Sequence, residues 1–215
     1  MIIMSLKEQL DTYKAGFLER AAKEKIDAFD DGVEAVVKSG IVAKAINVND
    51  QAPDFSLTNA LGETVTLSEV LKKGPVVLTW YRGGWCPYCN FTLRSLQEVL
   101  PEINSKGASL LALTPELPDL SLSTAEKHAL TFEVLSDVNN EVAEKYNIIF
   151  ELTPEVKKYY DQGFGMLKYN GHDRPELPLA ATYVINTDGK VIYAFLDADY
   201  RNRAEPSDIL EALGA

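Results

Sequence analysis

Pro75-Val-Val-Leu-Thr-Trp-Tyr81, Arg82-Gly-Gly-Trp85 and Cys86-Pro-Tyr-Cys89 follow one another without interruption. Together they carry the chain from a strand pattern into a helix pattern across two cysteines. The first seven residues are an apolar run of strand length, as expected of a strand covered on both faces. After the second cysteine, Leu93, Leu96, Leu100 and Ile103 recur at helical spacing, with Pro101 predicting a kink.

The same texture continues outward from this junction. Downstream the patterns predict a strand over 109–114, a helix over 123–130, a short strand over 132–135 and a helix over 141–146. Residues 182–195 read as a hairpin about Asp188-Gly189, and Pro206 opens a final helix through Leu213. Between them, Gly163, Gly165, Gly171, Pro175 and Pro178 predict a long irregular insertion over 148–179, with a helical turn near 155–160. Upstream, residues 64–67 form half of a hairpin. The fold class is therefore α/β, a mixed central sheet flanked by helices. Residues 1–46 stand apart as an N-terminal helical extension, and residues 47–215 form the main domain. In the extension Leu6, Leu10, Tyr13 and Phe17, then Ile26, Phe29, Val33 and Val36, draw an apolar stripe. Asp30-Asp31-Gly32 is the expected break and Gly40 the expected stop. The stripe must be covered by the chain's own domain or by a second copy, so a homodimer is one expectation.

Composition narrows the function. Of 215 residues, 46% are hydrophobic and 25% charged, the balance of a globular chain. The net charge of −11 repels nucleic-acid phosphates and anionic membranes, so neither is expected as a partner. No apolar run reaches the roughly 18 residues of a membrane-spanning helix, and the first residues lack the basic, apolar build of a secretory signal. Only two cysteines occur, both in one tetrapeptide, which is the usage of a cytoplasmic protein that keeps them for reactivity or metal.

The spacing of the pair has a physical meaning. With Pro87 at the first helical position, Cys86 lies at the helix mouth and Cys89 one turn in, neighbours within reach of a disulfide. Unpaired N–H groups there favour a thiolate. A free thiol of pKa near 8.5 is only a few per cent ionised at neutral pH, and lowering it by one to two units, about 1.4–2.7 kcal/mol, ionises half of it or more. Arg82 is the nearest cation that the sequence offers. Two other uses fit four such residues: half of a zinc site completed by His128, His172 or carboxylates, and plain packing. Neither histidine lies in a ligand cluster, so no metal or other cofactor is expected.

Several separated motifs then fall in order: Trp85-Cys-Pro-Tyr-Cys-Asn90, Leu93-Arg94, Thr114-Pro-Glu116, Ser123-Thr-Ala-Glu126, Leu135-Ser-Asp-Val138, Leu177-Pro178, Ala181-Thr-Tyr-Val-Ile185 and Asp197-Ala-Asp-Tyr200. From about residue 47 onward the chain resembles the peroxiredoxin-like branch of the alkyl hydroperoxide reductase/thiol-specific antioxidant (AhpC/TSA) family. The resemblance implies a thioredoxin-like fold and a thiol-dependent peroxidase that reduces hydroperoxides, regenerated by thioredoxin or a similar dithiol. Its alternative is a thioredoxin-like oxidoreductase acting on protein disulfides. Aligned on the peroxiredoxin loop, Cys89 takes the place of the peroxide-attacking cysteine, Cys86 stands where that family has Thr, Arg82 where it has Pro, and Ala180 where it has Arg. Aligned on thioredoxin, Cys86 is the exposed nucleophile, Cys89 resolves, and Ala180 replaces a cis-proline, with a trans bond expected before it.

The candidate catalytic residues are thus Cys86 and Cys89, joined as a redox disulfide in the oxidised state. Arg82, Trp85, Pro87, Tyr88 and Thr182 are the candidate supporting or substrate-activating residues. Trp85 shields the thiols or caps the core, and Tyr88 contacts substrate or sits on the surface. Gly83-Gly84 allows a tight turn. His128 and His172 are expected at the surface, Arg201 and Arg203 in surface pairs with acidic neighbours, and Asp197 and Asp199 outside any acid–base role.

Overall fold

Ser5 starts the first helix by accepting the Glu8 N–H on its hydroxyl, while the Glu8 carboxylate accepts the Ser5 N–H at 2.8 Å. A computed structural model of the chain describes residues 4–59 and 61–214. Helix α1 spans Leu6–Arg20 and α2 spans Lys23–Ser39, ended by Gly40 in the left-handed conformation before the short α3 (Ile41–Lys44). The break falls at Ala21-Ala22, both extended, and not at Asp30-Asp31-Gly32. It lets Phe17 and Phe29 stack across it at 5.8 Å. Gly32 lies inside α2 for another reason. A Cβ there would come within 2.6 Å of Val156 Cγ2, so its bareness allows close approach to the helix carrying Val156.

Next come a small hairpin, β1 (Ser56–Thr58) with β2 (Thr64–Thr66), and α4 (Leu67–Leu71). The run predicted as a doubly covered strand is β3 (Val76–Trp80), buried along its whole length. It leads through Tyr81–Trp85 into α5 (Pro87–Ser105), which passes through Pro101 only four residues before its end, where the missing N–H costs one late hydrogen bond. Then follow β4 (Ser109–Thr114), α6 (Pro118–Lys127), β5 (Glu133–Ser136) and α7 (Glu141–Lys145).

Residues 148–179 are regular rather than irregular. They hold β6 (Ile149–Glu151), α8 (Pro154–Phe164), α9 (Met166–Asn170) and β7 (Glu176–Pro178), with β6 and β7 pairing antiparallel. Thr153 caps α8 through its hydroxyl and Pro154 takes the first helical position, while Gly165 and Gly171 are helix C-caps rather than loop residues. The chain ends with β8 (Thr182–Ile185), β9 (Val191–Phe195) and α10 (Pro206–Ala212).

The central sheet has the order β5-β4-β3-β8-β9, parallel among β5, β4 and β3 and antiparallel from β3 to β8 to β9. It is a mixed, thioredoxin-like sheet between helices, as the sequence patterns predict. The cysteines stand where the central strand hands over to a helix, the end of a parallel sheet at which sites collect. Helix α1 packs on α5 and α2 on α8. The apolar stripe is thus covered by the chain's own domain: Leu6, Leu10 and Phe29 are buried in the cluster that also holds Cys86, Cys89, Trp85 and Tyr88. Among the described residues, no helix is long and apolar enough to cross a membrane.

Candidate active site

Cys86 is the N-cap residue of α5 and Pro87 its first helical residue, the arrangement that the Cys-Pro-Tyr-Cys spacing predicts. The turn before it is tight. Gly83 has φ 146°, and a Cβ on it would fall 2.2 Å from Trp85 Nε1. One residue on, the Gly84 N–H donates to buried Glu116 Oε1 at 2.8 Å, which holds the loop against the end of β4.

Both sulfurs are buried, Cys86 at 0% and Cys89 at 1% exposure, so neither is the exposed nucleophile of a simple thioredoxin alignment. Arg82, itself 2% exposed, donates from Nη2 to Cys86 Sγ at 3.2 Å, and its backbone N–H lies 3.4 Å from Cys89 Sγ. Its other terminal nitrogen donates to the Tyr160 hydroxyl at 2.9 Å. Ring faces enclose the rest of the guanidinium: Tyr200 at 4.0 Å, Tyr160 at 5.1 Å and Trp85 at 5.3 Å from Cζ. A second guanidinium, Arg203, reaches Cys89 Sγ at 3.5 Å.

These contacts separate the two thiols. Burial pushes the Cys86 pKa up, but the hydrogen bond donated by Cys89 and the charges of Arg82 and Arg203 outweigh it, and the thiol ends well below its ordinary value. Cys89 goes the other way. Burial raises it, and so do its hydrogen bond to Cys86 and the negative charge there, against the pull of Arg203 and Arg82. The two shifts run in opposite directions and favour ionisation at Cys86 over Cys89. Helix α5 adds its N-terminal partial charge on the Cys86 side.

The remaining sequence candidates divide. Trp85 is buried, with its ring 5.0 Å from that of Tyr160. Tyr88 is buried rather than on the surface, edge-on to Tyr13 at 5.2 Å and to Tyr200 at 5.6 Å. Thr182 lies in the sheet with its hydroxyl 2.9 Å from that of Thr79, which occupies it away from the sulfurs. His128 and His172 are half-buried, and His172 Nε2 lies 3.2 Å from the Val138 carbonyl. Arg201 does pair with acids, Asp199 and Asp30, each at 2.7 Å. Arg203 corrects its expectation: it is buried at the sulfurs and not in a surface pair. Tyr160, Tyr200 and Arg203 were not reachable as site residues from spacing, because they approach the cysteines only through the fold. Among the described residues, no group of three or more His, Cys, Asp or Glu side chains gathers into a metal-binding cluster. The bond before Ala180 is trans, as the described residues hold no cis peptide.

A sequence profile of the AhpC/TSA family matches residues 48–194, more than half of the chain. The chain belongs to the AhpC/TSA family. This AhpC/TSA chain is 26% identical over 152 residues to peroxiredoxin Bcp of Escherichia coli strain K12, spanning 71% of this chain and 86% of the relative. It is 33% identical over 99 residues to the thiol-disulfide oxidoreductase ResA of Geobacillus kaustophilus, spanning 46% of this chain but only 56% of that relative. Peroxidoxin BcpB of Mycobacterium tuberculosis shares its fold, with a TM-score of 0.62 at 22% identity over 79% of this chain and 97% of the other. Membership of this family makes the chain an oxidoreductase.

Proposed function

We propose that the protein is a two-thiol peroxidase in which Cys86 attacks and Cys89 resolves. The Cys86 thiolate displaces at the terminal oxygen of a hydroperoxide, the O–O bond breaks, and the departing alkoxide or hydroxide takes a proton. Arg82, held at the sulfur and paired with no carboxylate among the described residues, offers N–H groups to the charge that develops on the leaving oxygen. The Cys86 sulfenic acid then condenses with the Cys89 thiol, releasing water and closing the Cys86–Cys89 disulfide. An external dithiol reduces that bond by thiol–disulfide exchange, itself becoming the disulfide. Thioredoxin, being a protein, could serve only if the oxidised state opens the wall over Cys86; a small dithiol would not need that.

The observation that favours peroxide over a protein disulfide as substrate is the burial of Cys86. Among the described residues, Cys86 borders a cavity of about 30 Å³ lined also by Tyr13, Phe17, Phe29, Arg82, Trp85 and neighbouring aromatic side chains. A protein disulfide would need this wall removed, whereas a small peroxide would not. A cytoplasmic setting suits a pair that must be returned to the thiol state. Any homodimer would use a face other than the stripe of α1 and α2, which the site region occupies.

Trapping the sulfenic acid tests the assignment. After one equivalent of hydrogen peroxide, unfolding the protein in the presence of a dimedone-type reagent, which carries the probe past the wall, should label Cys86 in the Cys89→Ser protein and label nothing in Cys86→Ser. Label on Cys89 alone would reverse the roles, and no label with no peroxide consumed would end the peroxidase reading.

A further inference from the structure

The outer part of the wall over Cys86 comes from outside the family match. Residues 48–194 carry the family match, whereas Tyr13 and Phe17 come from α1 and Phe29 from α2. Resting on the peroxidase reading, we propose that Tyr13 and Phe17 are its specificity-determining residues, closing the approach to Cys86 to a size that admits hydrogen peroxide and excludes bulky organic hydroperoxides.

The cavity they border measures about 30 Å³. One water needs roughly 10–15 Å³, so a cavity of this size suits a peroxide of two oxygen atoms better than one bearing a substituent of several carbons. The walls are unequal in how firmly they are held. Arg82, Trp85 and Tyr160 are buried and bound to one another, so the inner wall is fixed. Tyr13 and Phe17 are half-buried and form the outer wall. Tyr13 is held edge-on by Tyr88 at 5.2 Å and by Phe91 at 5.7 Å, and Phe17 by its stack on Phe29 at 5.8 Å. Both rings project from a helix anchored elsewhere by buried Leu6 and Leu10, so truncating a ring opens the cavity without releasing the helix.

The test compares Cys86 oxidation by hydrogen peroxide and by cumene hydroperoxide in wild type, Tyr13→Ala, Phe17→Ala and the double variant. Leu18→Ala, at an exposed neighbouring position of the same helix, is the control. The wild type should strongly prefer hydrogen peroxide. The cumene-to-hydrogen-peroxide rate ratio should rise at least tenfold in Phe17→Ala, further in the double variant, and not in Leu18→Ala. Phe17→Leu, which keeps a contact on Phe29, should move the ratio in the same direction and replaces Phe17→Ala if that variant folds poorly. A wild type indifferent to peroxide size, or ratios that stay level across the wall variants, would overturn the proposal. Alkylation of Cys86 by iodoacetamide against N-phenylmaleimide reads the same wall without peroxide: only the bulky reagent should gain tenfold in the wall variants. Roof-dependent alkylation in a wild type inert to both peroxides would sink the peroxidase reading while leaving the size filter in place.

Discussion

Two groups of aromatic rings, one in the sheet core and one at the mouth of α5, differ in that the second encloses a buried charge. In the sheet core, Trp80, Tyr146 and Tyr183 meet with centroids 4.8–6.0 Å apart and no ionised group among them. At the mouth of α5, Trp85, Tyr160 and Tyr200 enclose the guanidinium of Arg82, which touches the Cys86 sulfur. The first cluster needs only packing, and its geometry answers to volume. The second takes a cation out of water, which is costly unless an anion and hydrogen-bond partners go with it. Here the anion is the Cys86 thiolate and the partner is the Tyr160 hydroxyl. A buried charge supported this closely makes the reactive sulfur and the stability of its surroundings depend on each other.

The contrast can be broken at its strongest point by removing the charge. Arg82→Met should lower the rate of peroxide reduction at least tenfold in a stopped-flow assay while leaving the Cys86–Cys89 disulfide reducible by a small dithiol, since the methionine fills the space but cannot hold the thiolate. A smaller effect separates the clusters by their hydroxyls. Tyr160→Phe leaves an Arg82 N–H without its acceptor and should destabilise the reduced protein by about 1.5–3 kcal/mol in urea unfolding. Tyr183→Phe should change stability by less than about 1 kcal/mol and leave turnover unaltered, because that hydroxyl is buried without a hydrogen-bond partner among the described residues. Equal costs for the two substitutions would mean that the charged cluster is held by packing alone.

Legibility in the sequence followed the range of the forces involved. The strand–cysteine–helix junction could be read because each of its signals is local: an apolar run, a proline at the first helical position, apolar residues at helical spacing. Strand β4 matches its predicted bounds for the same reason. Within 148–179 the helix expected near 155–160 is found as α8, but the rest reads as irregular because its glycines and prolines weigh as loop formers, although Gly165 and Gly171 are helix stops. The Ala21-Ala22 break carries no local signal at all, as alanine favours helix; it is imposed by packing of Phe17 on Phe29. Cys86, Cys89 and Arg82 were visible as candidates by adjacency. Arg203, 114 positions from the cysteine it reaches, and Tyr160, 78 from Arg82, required the fold. The Asp197-Ala-Asp-Tyr200 motif lay three residues from Arg203, the one sequence signal that pointed toward it.

Attack on peroxide depends on an ionised Cys86 beside a protonated Cys89, and titration of the reduced protein tests that most directly. Alkylation by iodoacetamide, quantified at each cysteine by mass spectrometry, reads the thiolate fraction across pH. An ordinary thiol loses about tenfold in rate for each pH unit below about 8.5. Cys86 should instead keep its rate to lower pH than an ordinary thiol does, because its folded pKa lies well below the ordinary value, with Cys89 labelled only at higher pH. A Cys86 rate that falls steadily below pH 8.5, or a Cys89 that reacts first at neutral pH, would contradict it.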